Sequence, residues 1–141
     1  MRHMTRAESL AFLLERPRTA KLATVRADGR PHVAPIWYDL DGEIVVFTTW
    51  HTSVKGVNIR RDPRVSLCVD DDAPPYAYVL VEGVASLSDD LAALRQWAVR
   101  IAGRYMGAEL AESYGARNGV PGELLVRVTS TKIIAQAGIA D

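Results

Sequence analysis

The most informative part of this sequence is residues 48–64, which read TTWHTSVKGVNIRRDPR. Two threonines end a strand-like run, a polar turn follows, and the helical pattern of residues 54–61 stops at Asp62-Pro63. The free backbone N–H groups and the dipole at a helix N-terminus favour an anion, and Lys55 adds a positive charge in the first turn. The segment therefore predicts a site for a small anion, although a solvated helix start with ordinary surface charges has the same pattern.

Three short strands are predicted on the N-terminal side of this segment, over residues 19–25, 31–38 and 43–49. The first two are separated by Asp28-Gly29 and the last two by Asp41-Gly42, and Asp-Gly is the usual signal for a hairpin turn. These strands are expected to form an antiparallel meander.

Four more strands are predicted on the C-terminal side, over residues 64–69, 76–87, 124–128 and 132–137. Residues 70–75, with three aspartates and two prolines, are expected to be a loop that ends the first of these strands. Gly83 lies inside the second, which indicates a bulge or a close approach of two backbones.

Helices are predicted at three further places. Thr5 and Glu8 have the spacing of a capping box before a helix that ends at Pro17, and Ser88-Asp89-Asp90 precedes a longer helix with one apolar face. A short helix is expected over residues 108–114. Six or seven antiparallel strands with short peripheral helices indicate an α+β protein, a closed or partly closed barrel that spans residues 1–141 as a single domain.

The 141 residues include 17 Lys and Arg and 17 Asp and Glu, so the formal net charge is zero when the histidines are neutral. Nucleic acid and anionic membrane surfaces attract basic proteins, so we expect neither as a partner. The sequence has no apolar run of the length that a signal peptide or a membrane span needs, and its one cysteine, Cys68, excludes an intramolecular disulfide. We expect a cytoplasmic protein.

Familiar catalytic motifs are absent: the sequence has no G-x-S-x-G, no H-E-x-x-H and no Gly-rich phosphate loop. His3, His32 and His51 fall in a tail, a strand and a loop, so no metal site is predicted. Cys68 lies on a predicted core strand and is expected to be a small buried apolar residue. The residues therefore identify no catalytic side chain.

Five blocks of the sequence stand in a recognisable order and spacing. They are Leu22-Ala23-Thr24-Val25 with Asp28-Gly29-Arg30-Pro31-His32-Val33, then Pro35-Ile36-Trp37-Tyr38, then Thr48-Thr49, then Ser53-Val54-Lys55 with residues 58–67, and finally Val81-Glu82-Gly83-Val84-Ala85. In these blocks the sequence resembles the split β-barrel flavin and deazaflavin reductases, the group related to pyridoxamine 5′-phosphate oxidase. The later run Arg104-Tyr105-Met106-Gly107 is similar to the branch that uses coenzyme F420, a 5-deazaflavin.

The resemblance implies a cofactor site. It assigns to the phosphate side of the cofactor the residues Thr48, Thr49, Ser53, Val54 and Lys55, and to the tricyclic ring the strand residues Pro35, Ile36 and Trp37. The FMN oxidases commonly have an arginine where this chain has Val54, and their contacts to pyridoxal phosphate have no match here. The resemblance therefore favours F420 over FMN and does not imply oxidation of vitamin B6.

The implied function is that of a homodimeric oxidoreductase with a cofactor at the subunit interface. Reduced F420 would pass a hydride to an unsaturated small-molecule acceptor, which the sequence does not name. Two alternatives stay open: an FMN-dependent reductase or oxidase on the same fold, and a cofactor- or haem-binding module without turnover. Trp37 is expected either to occupy a core position or to contact the cofactor ring. Trp50 is expected to lie either over the cofactor site or at a subunit contact.

Overall fold

The computed structural model describes all 141 residues, and it contains eight β-strands and four α-helices. The strands are β1 (Arg2–His3), β2 (Ala20–Val25), β3 (Pro31–Ile36), β4 (Asp39–Asp41), β5 (Ile44–Trp50), β6 (Arg64–Asp71), β7 (Ala77–Ser88) and β8 (Glu123–Ala137). The helices are α1 (Arg6–Glu15), α2 (Val54–Arg61), α3 (Leu91–Met106) and α4 (Ala111–Asn118), with a 3-10 turn at Ala108–Leu110 before α4.

All strands pair antiparallel in one sheet of the order β3-β2-β6-β7-β8-β5-β4, and β1 adds to β8. The two end strands, β3 and β4, are joined by only Trp37 and Tyr38, so the two edges of the sheet lie close together. The sheet is therefore a barrel with an opening beside β3. The predicted α+β split barrel is confirmed.

The apolar core lies on both faces of β5. Val45 and Phe47 point into the barrel, where they pack with Leu22, Tyr38 and other buried residues. Val46 points the other way, into a second cluster that contains Leu94 and Trp97 of α3. Trp97 is thus a packing residue, and α3 covers the outside of the barrel next to the opening.

Local signals predicted the helix starts correctly. Thr5 and Glu8 form the capping box, with the Glu8 amide 3.1 Å from Thr5 Oγ1 and the Thr5 amide 3.1 Å from Glu8 Oε1. The structure also confirms α2 over the predicted range, residues 54–61. These features depend on neighbours within four residues, so the sequence displays them directly.

The strand count differs from the prediction, which was six or seven. The short strands β1 and β4 add to the sheet, although residues 39–42 were predicted as a turn. The expected loop at residues 70–75 begins late, because Asp70 and Asp71 continue β6 opposite Tyr78 and Ala77. Pairing with a neighbouring strand outweighs the low β-propensity of aspartate at this exposed end of the sheet.

The two strands predicted over residues 124–128 and 132–137 are one continuous strand, β8. The register shifts by one residue between Glu82 and Gly83 of β7, so the residues between the two predicted strands are accommodated as a bulge. A Cβ atom on Gly83 would lie 2.5 Å from the Thr129 carbonyl oxygen, which explains the glycine and confirms the predicted irregularity.

Candidate functional site

A cavity of about 420 Å³ opens at the split of the barrel. Its walls come from the end of β3, the end of β5, the start of α2, the middle of α3, the end of α4 and the start of β8. The lining residues are Pro35, Ile36, Trp37, Thr48, Thr49, Trp50, Ser53, Lys55, Ala98, Ile101, Asn118 and Glu123. Four elements that are distant in the chain, β3, α3, α4 and β8, therefore meet residues 48–64 at this cavity.

Seven of the eight residues that the sequence analysis assigned to a cofactor line this cavity: Pro35, Ile36, Trp37, Thr48, Thr49, Ser53 and Lys55. The eighth, Val54, is not among the lining residues, and its side chain is 47% exposed. The structure thus brings together the two separate stretches that the sequence analysis named, and it places Val54 outside the group.

The polar end of the cavity is the turn between β5 and α2. Ser53 is the N-cap of α2, and its Oγ accepts a hydrogen bond from the Gly56 amide at 3.1 Å. The same Oγ lies 2.7 Å from the hydroxyl of buried Thr49. A Cβ atom on Gly56 would lie 2.8 Å from the Trp50 carbonyl oxygen, so the turn has no room for a side chain there. These contacts hold the hydroxyls and the start of α2 in one place.

Two charged residues line this polar end, Lys55 and Glu123. Lys55 takes part in none of the salt bridges of the chain. Burial raises the pKa of Glu123, while the Thr48 side chain and the positive charge of Lys55 act in the opposite direction. The cavity therefore contains Lys55, which forms no salt bridge, and Glu123, whose carboxyl group is partly desolvated.

The cavity also has apolar lining residues, and Trp37 is one of them. The Trp37 ring stacks on Tyr105 with a centroid distance of 5.1 Å and an angle of 2° between the planes. Tyr105 is held in turn, since its hydroxyl donates to the Arg18 carbonyl at 2.8 Å and accepts from the Tyr38 amide at 3.1 Å. Trp37 is thus a half-buried residue of the cavity lining, and stacking on Tyr105 near the end of α3 holds its ring in place.

Five lining residues were not predicted from the sequence: Trp50, Ala98, Ile101, Asn118 and Glu123. The sequence left open whether Trp50 lies at the site or at a subunit contact. The structure places Trp50 in the cavity lining with its ring against Gly122, so that a Cβ atom on this glycine would lie 2.3 Å from the tryptophan ring. The Asn118–Gly122 loop brings Asn118 and Glu123 to the cavity. The one sequence signal for this part of the site is the run Asn118-Gly119-Val120-Pro121-Gly122, whose residue types are typical of a loop.

The structure contains neither a metal-binding cluster nor an activated cysteine. No three His, Cys, Asp or Glu residues come together where they could hold a metal ion. Cys68 lies on β6 and is half-buried rather than fully buried as expected, and burial followed by the charge of Asp70 raises the pKa of its thiol. A raised pKa leaves the thiol neutral and weakly nucleophilic.

The fold agrees with comparisons to known proteins. The family model described as pyridoxamine 5′-phosphate oxidase matches residues 6–137 of the chain. This chain belongs to the pyridoxamine 5′-phosphate oxidase family. The match covers every lining residue of the cavity, so the whole candidate site lies within the region that the family shares.

Within and around this family, three relatives are informative. A Mycobacterium tuberculosis biliverdin reductase dependent on reduced coenzyme F420 is 36% identical over 100 residues, which are 70% of each chain. The crystal structure of a conserved hypothetical protein from M. tuberculosis superimposes with a TM-score of 0.84 at 31% identity, over 96% of this chain and 86% of that one. An F420 reductase structure gives a TM-score of 0.71 at 31% identity, over 87% and 94%.

The helices of this family member are short. None of them is both long enough and apolar enough to cross a lipid bilayer.

Proposed function

We propose that this protein is an oxidoreductase that binds reduced coenzyme F420 in the cavity at the split and delivers a hydride to an unsaturated small-molecule acceptor. The observation that carries the proposal is the polarity of the cavity. The lining combines Lys55, two threonines and the capped start of α2 with the apolar side chains of Ile36, Trp37 and Ile101. A ligand with a phosphate and a planar ring matches both parts of this lining.

The residues present fit such a group. Lys55 forms no salt bridge, and Ser53 caps the start of α2 beside it. Strand β3 pairs only with β2, so the backbone of Pro35 to Ile36 has a free edge at the opening. Backbone N–H and C=O groups on a free edge are available to the polar rim of a ring.

The chemistry would reside in the cofactor, and the chain's residues would bind and orient it. Reduced deazaflavin, when bound, supplies a hydride to an acceptor. Lys55, Ser53, Thr48 and Thr49 would hold the phosphate, while Trp37, fixed on Tyr105, would limit the position of the ring.

Two relatives support F420 in particular, because the biliverdin reductase and the F420 reductase are named for that cofactor. The family also supports a flavin, so FMN is the second candidate for the same cavity. The position of Val54 favours F420, since an uncharged, outward side chain adds no cation for a terminal phosphate.

We further propose that the active form is a cytoplasmic homodimer with the cofactor at the subunit interface. Apolar side chains remain exposed beside the phosphate turn, among them Trp50, Val54 and Val57. A partner subunit would cover them and complete the wall around the acceptor.

The test is a titration of the purified protein with reduced F420 and with FMN, followed by fluorescence. Replacing Lys55 by alanine is expected to weaken binding of both cofactors by at least about tenfold, because the phosphate loses its one cation. The matched control is Lys132→Ala, which removes an exposed lysine of β8 that has no salt bridge. If Lys55→Ala binds both cofactors as tightly as the wild type does, the phosphate assignment is wrong.

A further inference from the structure

Glu123 puts a carboxylate at the end of the cavity that is assigned to the phosphate. It is the first residue of β8 and lies opposite Trp50 of β5 in the sheet register. Both residues line the cavity together with Lys55. A carboxylate in an anion-binding cavity opposes the binding of any anion, and the repulsion grows with the charge of the anion.

The charge in the lining is limited to two residues. Lys55 and Glu123 are the only ionisable side chains among the twelve lining residues, and their formal charges cancel at neutral pH. Around Glu123, β5 presents Thr48 and Trp50, α4 presents Asn118, and the turn presents His51, whose Nδ1 lies 2.9 Å from the Gly122 carbonyl. Lys55 is the charged group that acts on the Glu123 carboxyl.

Phosphate groups differ in the charge that such a cavity must hold. A terminal phosphomonoester carries between about −1.5 and −2 near neutral pH, because its second pKa is about 6. A phosphodiester has one ionisable oxygen and carries a single negative charge. Since Coulomb energies are larger in a partly desolvated site than in water, the second negative charge is strongly disfavoured beside a carboxylate.

We propose that Glu123 is a specificity-determining residue that makes this cavity select a phosphodiester monoanion over a phosphomonoester dianion. FMN ends in a phosphomonoester, whereas F420 contains a phosphodiester, so the same residue would favour the deazaflavin cofactor. The inference rests on the proposed function, since it assumes that the phosphate binds at the Lys55 end. Lys55 and the hydroxyls would hold the phosphate, whereas Glu123 would discriminate between phosphates by their charge.

The experiment compares three ligands, FMN, F420 and riboflavin, on the wild type and on Glu123→Gln at about pH 8, where the FMN phosphate is a dianion. The amide keeps the shape of the side chain and removes its charge. We expect FMN to bind the variant about tenfold more tightly, F420 about threefold or less, and riboflavin without change. The control is Glu109→Gln, which removes an exposed acid distant in sequence that has no salt bridge.

The pH provides a second measurement that needs no variant. Between about pH 8 and 5.5 the FMN phosphate gains a proton. This protonation lowers the charge of the phosphate and its repulsion from the Glu123 carboxylate, so the wild-type preference for F420 over FMN is expected to shrink on acidification. In Glu123→Gln the preference is expected to be small throughout.

The outcomes separate this inference from the function on which it rests. Selection by charge would be overturned if Glu123→Gln raised the affinities for FMN and F420 equally, raised neither affinity, or weakened the binding of both. In each of these cases, a loss of cofactor affinity in Lys55→Ala would still support the cofactor site. If Lys55→Ala leaves both affinities unchanged, the cofactor site itself is wrong. A preference for F420 that stays constant with pH in the wild type also contradicts the role of Glu123.

Discussion

Helices α2 and α3 both follow a strand of the barrel, and they begin in similar ways with opposite electrostatics. Ser53 caps α2 and accepts the Gly56 amide at 3.1 Å, while Asp90 caps α3 and accepts the Ala92 amide at 3.1 Å. Both capping residues have extended backbone dihedral angles. The hydroxyl of Ser53 is neutral, whereas the carboxylate of Asp90 carries a negative charge.

The difference explains why one helix start is a candidate site and the other is not. The Asp90 carboxylate already offsets the positive end of the α3 dipole, and this helix uses its apolar face to pack Leu94 and Trp97 against β5. The start of α2 has no acid in its first turn and has Lys55 instead. A neutral cap next to a lysine leaves the positive potential free for a ligand.

The largest expected effect comes from giving α2 the cap of α3. Ser53→Asp retains an acceptor for the Gly56 amide, so the helix should keep its stability, but a carboxylate would then stand where the phosphate is proposed to bind. We expect the affinity for reduced F420 to fall by about a hundredfold, measured by fluorescence titration. Binding within threefold of the wild type would show that the phosphate does not sit at this helix.

The next effect concerns the third residue of each helix, which is Gly56 in α2 and Ala93 in α3. Gly56→Ala should lower the free energy of unfolding by about 2 kcal/mol, because its Cβ atom would lie 2.8 Å from the Trp50 carbonyl oxygen and 3.1 Å from Ser53 Oγ. Urea denaturation measures the change.

The matched exchange in α3, Ala93→Gly, lowers helix propensity and removes a methyl group that packs beside Leu94 and Trp97, so it should cost at least about 1 kcal/mol. If Gly56→Ala instead stabilises the protein, as helix propensity alone predicts, the proposed steric clash in the turn before α2 is wrong.

A smaller effect is expected when the cap of α2 is removed without adding a charge. Ser53→Ala loses the bond to the Gly56 amide and the contact with the Thr49 hydroxyl, so unfolding should become easier by about 1 kcal/mol. Combining it with Thr49→Val in a double-mutant cycle measures the hydroxyl pair. Additive losses would mean that the two hydroxyls are not coupled.

The smallest effect is predicted for the reverse exchange, Asp90→Ser in α3. Serine still caps the helix, so the free energy of unfolding should change by only about 0.5 kcal/mol as the favourable charge is lost. Reduced F420 should bind with unchanged affinity, because Asp90 is not among the residues that line the cavity. A change in affinity of more than threefold would contradict the separation of the two helix starts.

Much of the fold was visible in the sequence where its signals are local. The capping box of Thr5 and Glu8, the helix from residue 54 to 61 and the irregularity at Gly83 were predicted at their observed positions. The errors concern pairing over long distances. Asp70 and Asp71 lie in a strand because β7 is beside them, and β8 is continuous because a bulge absorbs the extra residue.

The candidate site divides in the same way. Residues 48–55 indicated an anion site through their own order, since a cap, a turn and a first-turn lysine interact within a few residues. Resemblance to a family, rather than any local pattern, linked this segment to Pro35, Ile36 and Trp37. The cavity in the structure joins the two segments across the split, and Val54 is excluded because its side chain turns outward.

The sequence by itself determined an α+β barrel of antiparallel strands, the capped start of α2 and the lysine that makes this start positive. Only the tertiary structure decided that Glu123 and Lys55 line one cavity and that α3 adds Ala98 and Ile101 to its lining. The physical reason is the range of the interactions. A helix cap is formed by neighbours in the chain, whereas the net charge of a cavity depends on which distant strands the hydrogen bonds of the sheet bring together.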